Sequence, residues 1–307
     1  MALCHLDGNA DMYGLGIRLG FYLQWLARIV TDLLVVCSPC DCSRSSMLAE
    51  VEGGRFALQC FVIALFVAIV SQAGTSSATV VDLYISLLIC VGDYFFFIPI
   101  YVWRLATRFN PLLDPTRWLI AAPSAAYSLL DQLLVVASAA FQIWFWAWKV
   151  QNDAPADCET FGFLFSKIPM RSLSFRTVNI VIQTLVMGIA VTAIVLPYVL
   201  KLEKPTHRLE KVARRKRRRM QILGILVSTG IFSLMVVAIE LVVFWNGLGG
   251  IYIINSAGQL IPLVISVLTL ARIVYKYVWA SKDEADERAI PFVSDPFAIS
   301  TLTRKRP

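Results

Sequence analysis

The chain has 307 residues and a mass of 34.3 kDa, long enough for two ordinary soluble domains. It is 58% hydrophobic and 16% charged, with a mean hydropathy of +0.68, whereas soluble domains are roughly 45–50% apolar and 25% charged. So few charges cannot cover a soluble fold of this size, which excludes a water-soluble enzyme or binding module and leaves an integral membrane protein.

A membrane helix needs about 20 mostly apolar residues to cross about 30 Å of hydrocarbon. Residues 1–16 read as an N-terminal segment outside the membrane, and the first helix runs over about 17–36, interrupted by Arg18, Arg28 and Asp32. Arg28 and Asp32 stand four apart and can neutralise each other on one face. Gly14-Leu15-Gly16-Ile17-Arg18-Leu19-Gly20 has the wrong spacing for a dinucleotide fingerprint and no strand before it. Gly16 and Gly20 instead read as a close-packing helix face. No basic segment precedes the first helix, so it is expected to insert uncleaved. Cys37, Cys40 and Cys42 follow it at the membrane edge, where thiols are candidates for palmitoylation. Three thiols without a nearby His do not make a zinc site, and no metal or cofactor is expected.

The second helix is expected over 56–73 and the third over 80–103, where Asp82, Ser86 and Asp93 share one face. The fourth spans about 125–148, with Asp131 near its start and Trp144, Trp146, Trp148 and Lys149 as an interfacial belt at its end. Cys158, in the loop beyond, lies on the same side as Cys4 and could pair with it. The fifth helix (177–200) carries Asn179 and Gln183, the sixth (220–245) carries Glu240, and the seventh (251–277) carries Asn255 and Gln259. The membrane domain thus covers 17–279 and a cytoplasmic tail covers 280–307. The fold class is an all-α bundle of seven transmembrane helices.

Orientation follows from Lys and Arg. With the N-terminus outside, the cytoplasmic segments 37–55, 104–117, 201–219 and the tail from Arg272 hold 2, 3, 10 and 7 basic residues. The external 149–176 loop holds 4, and the other external segments hold none. The basic run Arg214–Arg219 abuts the sixth helix, so anionic lipid is its expected partner rather than nucleic acid. The expected location is a membrane, either the plasma membrane or an endomembrane.

Ionisable groups inside a span are expensive and mark functional sites by default. Asp82, Asp93, Asn179, Gln183, Glu240, Asn255 and Gln259 fall mostly in the outer half of four helices, and Pro99, Pro197 and Pro262 can kink three of them. The expectation is a shared outward-facing polar cavity for a small molecule. Helix-to-helix hydrogen bonding is the competing account.

Asp11-Met12-Tyr13-Gly14-Leu15-Gly16-Ile17-Arg18-Leu19-Gly20-Phe21-Tyr22-Leu23-Gln24-Trp25 resembles the opening of a group of uncharacterised multi-pass membrane proteins of filamentous fungi. Asn255-Ser256-Ala257-Gly258-Gln259-Leu260-Ile261-Pro262-Leu263 resembles the last helix of that group. The likeness covers the two ends of the chain. It implies a fungal source and seven helices, and transfers no activity.

Three function classes fit. A receptor-like sensor or accessory membrane protein for a small molecule leads. It would differ from the common seven-helix receptors, since the third helix ends in Val102-Trp103-Arg104-Leu105 and the seventh lacks an Asn-Pro-x-x-Tyr segment. A membrane-embedded enzyme in the manner of fungal terpene cyclases could use Asp82, Asp93 and Glu240 as buried acids. A small-molecule transporter is the third, although no internal repeat supports it.

Overall fold

The computed structural model describes residues 2–3, 7–37, 41–75, 77–108, 120, 124–153, 158–199 and 214–289. It is mostly helical, with short strands at one end. The elements in chain order are β1 (Ala2–Leu3), α1 (Ala10–Tyr13), α2 (Leu15–Cys37), α3 (Asp41–Thr75), α4 (Val80–Val91) and α5 (Phe97–Ala106). There follow α6 (Ala125–Trp144), α7 (Val150–Asp153), β2 (Cys158–Glu159), β3 (Phe161–Phe163), β4 (Lys167–Pro169), α8 (Leu173–Val199), α9 (Arg214–Trp245) and α10 (Ala257–Ala289). Six helices are long and apolar enough to cross a membrane: Ala10–Cys37, Met47–Thr75, Ala125–Asp153, Leu173–Val195, Arg218–Trp245 and Ala257–Trp279. That is the architecture of a multi-pass membrane protein.

The outer faces of α8, α9 and α10 carry exposed Val181, Leu185, Leu226, Val237, Ile261 and Leu268. In water such patches would drive aggregation, and hydrocarbon removes that cost. Hydroxyls on these helices are satisfied within the helix: Thr184, Thr192, Thr229, Ser233 and Thr269 each donate to the carbonyl four residues back. Such back-bonding lets a polar side chain face lipid without an orphaned donor.

The expected third helix, 80–103, is broken. Regular α-helix stops at Val91, Gly92–Phe96 forms a 3-10 turn, and α5 resumes at Phe97. Two features account for the break. Gly92 lies against Trp25, where a Cβ would stand 2.6 Å from the ring, and Pro99 has no N–H for the helical ladder. Every residue of α4 is buried, so this short helix is the inner pillar of the bundle. Its N-terminus is closed by a reciprocal capping box between Thr79 and Asp82.

The other boundaries shift modestly. α3 begins before the expected 56 and α10 runs past 277, while 251–256 is non-helical rather than the start of the last helix. The fourth helix widens into a π-turn over Phe145–Lys149. Trp144 and Trp148 are exposed and stacked. Trp146, however, is 1% exposed and packs edge-on against Tyr84 and Phe175. Two residues along this turn is about half a rotation, so Trp146 points inward from the Trp144 and Trp148 face. Lys149 is also buried, paired with Asp153 at 2.5 Å.

A small cap closes the end of the bundle where α2 and α4 begin. β1 pairs with β2 in parallel, Ala2 against Cys158 and Leu3 against Glu159. β3 and β4 form an antiparallel hairpin. The Asn246 side chain donates to the Phe161 carbonyl and accepts from its N–H, both at 2.9 Å, like an added strand residue. Gly8 N–H donates to the Gly249 carbonyl, and Leu15 N–H to the Ile251 carbonyl. The N-terminal segment is thereby sewn to the turn that joins α9 to α10. Cys4 lies outside the described residues, as do the Cys158 side chain, Cys40 and the Cys42 side chain, whereas Cys37 is exposed.

Candidate functional site

Helix α2 positions the site. Arg18 and Tyr22 are one turn apart on it and meet the same residue, Glu240 of α9. Arg18 Nη1 lies 2.5 Å from Glu240 Oε2, and the Tyr22 hydroxyl donates to Oε1 at 2.9 Å. The Arg18 side chain is 0% exposed and that of Glu240 is 41% exposed. Arg18 Nε and Nη2 have no hydrogen-bond partner. The Tyr252 ring stands 5.5 Å from the guanidinium carbon, a cation–π contact. Unpaired buried donors of this kind cost free energy.

Asp82 belongs to a different network. It accepts from the Tyr13 hydroxyl and from Asn9 N–H on one oxygen, and from Thr79 N–H and Thr79 Oγ1 on the other. Four donors occupy the carboxyl, so it has no free lone pair to act as a base. It ties the α4 start to α1 and is a structural joint. Ser86, on the same stripe, donates back to the Asp82 carbonyl. Asp93 has a backbone within the 3-10 turn, and its side chain lies outside the described residues.

The other polar positions do not gather around these two. Gln259 is fully buried against the Gly14–Gly16 backbone and donates to the Ile253 carbonyl. Asn255 is exposed at the cap. Asn179 donates to the Phe175 carbonyl within α8. Gln183 turns to α6, where with Ser138 and Gln142 it lines a cavity of about 20 Å³, room for roughly one water. Among the described residues, these polar positions therefore make separate helix contacts.

Sequence reasoning overlooked Tyr13, Tyr22, Thr79 and Asn9. The signals were present: Arg18-x-x-x-Tyr22 is one face of one helix, and Thr79-x-x-Asp82 before an apolar run has the form of a capping box. Among the described residues no group of three His, Cys, Asp or Glu side chains is placed to hold a metal ion. No protein family, curated protein or solved structure matches the chain.

Proposed function

We propose that the protein is a receptor-like membrane sensor in which the Arg18–Glu240 pair is the responsive element and a small organic carboxylate is the class of ligand. The observation that carries this reading is the buried Arg18 guanidinium, with two unpartnered nitrogens and a half-exposed carboxylate as its partner. An incoming carboxylate can replace Glu240 on Arg18 through a two-pronged bond. Releasing Glu240 would free α9 from α2, which gives two states of one contact. A membrane-embedded enzyme or a transporter would draw on the same Glu240 carboxyl, whereas the occupied lone pairs of Asp82 count against an acid–base role there.

The reading includes seven crossings, with α4, the 3-10 turn and α5 together forming the third, and an N-out, C-in orientation. The basic run supports this side assignment. Arg214–Arg219 occupies the first turns of α9, where the helix dipole disfavours cations. Anionic headgroups offset that at about 1 kcal/mol per residue. On intact cells, Asn255→Cys should react with a membrane-impermeant thiol reagent, while a C-terminal tag should stain only after permeabilisation. Tag staining without permeabilisation would reverse the orientation.

The sensor reading is tested by thermal unfolding of the purified full chain with acetate, butyrate and hexanoate, each beside its neutral amide. Carboxylates should move the midpoint and amides should not, and Arg18→Gln should erase the difference. Equal responses to acid and amide in the parent protein would dispose of a carboxylate sensor.

A further inference from the structure

A cavity of about 400 Å³ lies between α3 and α6, at the end of the bundle opposite the cap. At that end Arg272 and Lys276 of α10 also hold Glu50 of α3. Its volume falls in the range of organic-ligand sites. Glu52, Arg55, Phe56 and Gln59 line it from α3, and Tyr127 and Leu130 from α6. The Tyr127 hydroxyl donates to the Arg55 carbonyl at 3.3 Å, which joins the two helices at one edge of the cavity.

Two observations mark it as a built site. Gln59 is 4% exposed, yet neither its Oε1 nor its Nε2 has a partner. A buried amide with all its hydrogen bonds unmade is costly, and it borders a cavity large enough to hold the missing partner. Second, Glu52, Arg55 and Gln59 are spaced i, i+3 and i+7, so they form one stripe along α3. From the helix start toward the membrane interior the stripe presents a carboxylate, a guanidinium and an amide, with the rings of Phe56 and Tyr127 and the Leu130 side chain as apolar walls.

A glycerophospholipid with an amine headgroup presents complementary groups in that same order: ammonium, phosphate, ester carbonyls, acyl chains. We propose that this cavity binds such a lipid, of the phosphatidylethanolamine type, with Glu52 on the ammonium, Arg55 on the phosphate and Gln59 Nε2 donating to an ester carbonyl. A quaternary ammonium has no N–H for Glu52, and a glycerol headgroup has no cation, so both should bind less well. The inference does not depend on the Arg18–Glu240 reading.

The full chain is extracted in mild detergent and titrated with phosphatidylethanolamine, phosphatidylcholine and phosphatidylglycerol of identical acyl chains, and bound lipid is counted by native mass spectrometry. Phosphatidylethanolamine should be retained about tenfold over the other two, the ratio expected for one charge-assisted hydrogen bond. Glu52→Gln, at an exposed position, should remove that preference. Gln59→Leu should lower retention of all three lipids. Leu130→Trp, at a residue 44% exposed, should fill the cavity and abolish retention with an unchanged size-exclusion profile. Equal retention of the three lipids by the parent protein would overturn the proposal, as would phosphatidylethanolamine still held by a folded Leu130→Trp or held with undiminished preference by Glu52→Gln.

Discussion

Glu240→Gln should destabilise the protein more than any other single charge-neutralising change in the described helices. Gln keeps one oxygen, which can accept from Arg18 Nη1 or from the Tyr22 hydroxyl, but it carries no charge to offset the buried guanidinium. Breaking a buried ion pair from one side costs about 3–5 kcal/mol, because the remaining charge has no partner. The 41% exposure of the Glu240 side chain places the expected loss at the low end of that range. Arg18→Gln combined with Glu240→Gln should recover much of the loss, since two amides can hydrogen-bond where a lone cation cannot. The measurement is the thermal aggregation midpoint of detergent-extracted parent, single and double variants. A single variant as stable as the parent would show that the pair contributes nothing, and the sensor reading would lose its responsive element.

The second large effect is expected at the α2–α10 contact, where Gly16 and Gly20 of α2 meet the backbone of α10. A Cβ at Gly16 would stand 2.5 Å from the Gln259 carbonyl oxygen and 2.9 Å from its carbon. One at Gly20 would stand 2.9 Å from the Pro262 carbonyl carbon. Backbone cannot step aside as a flexible side chain can, so Gly16→Ala must push α10 away, at the roughly 1–3 kcal/mol typical of overpacking. Gly16→Leu should leave no monodisperse protein in size-exclusion chromatography. Gly188→Leu and Gly230→Leu are the matched controls, because nothing lies within 4 Å of a Cβ at either position. They should behave like the parent, with a small gain in helix propensity. A well-behaved Gly16→Leu protein would mean that α2 and α10 are not packed through these glycines.

The close approach at Gly16 and Gly20 was legible as a small-xxx-small spacing, although its partner helix was not, because spacing specifies a face and says nothing of what lies against it. The membrane class and most helix positions were equally legible. A charge-free apolar run of about 20 residues has few alternatives in either solvent, and Leu173–Val199 and Arg214–Trp245 appear near where they were expected. The caps at Thr79 with Asp82 and at Ser124 before α6 are written just as locally, although they were overlooked.

Pairing across the bundle was decided by the tertiary structure alone. In the sequence, Asp82 and Glu240 are two intramembrane acids of equal interest. In three dimensions Asp82 is saturated by Tyr13, Asn9 and Thr79, and Glu240 meets a buried cation from a helix 222 positions away. The break at Gly92 and the inward turn of Trp146 depend likewise on neighbours, Trp25 in one case and Tyr84 with Phe175 in the other. Hydrophobicity and charge along one chain determine which segments enter the membrane and where helices cap, because those choices are settled between a segment and its solvent. Whether a polar side chain ends as a joint, an ion pair or an open site is settled by the partner that another helix brings, and one-dimensional spacing carries no record of that.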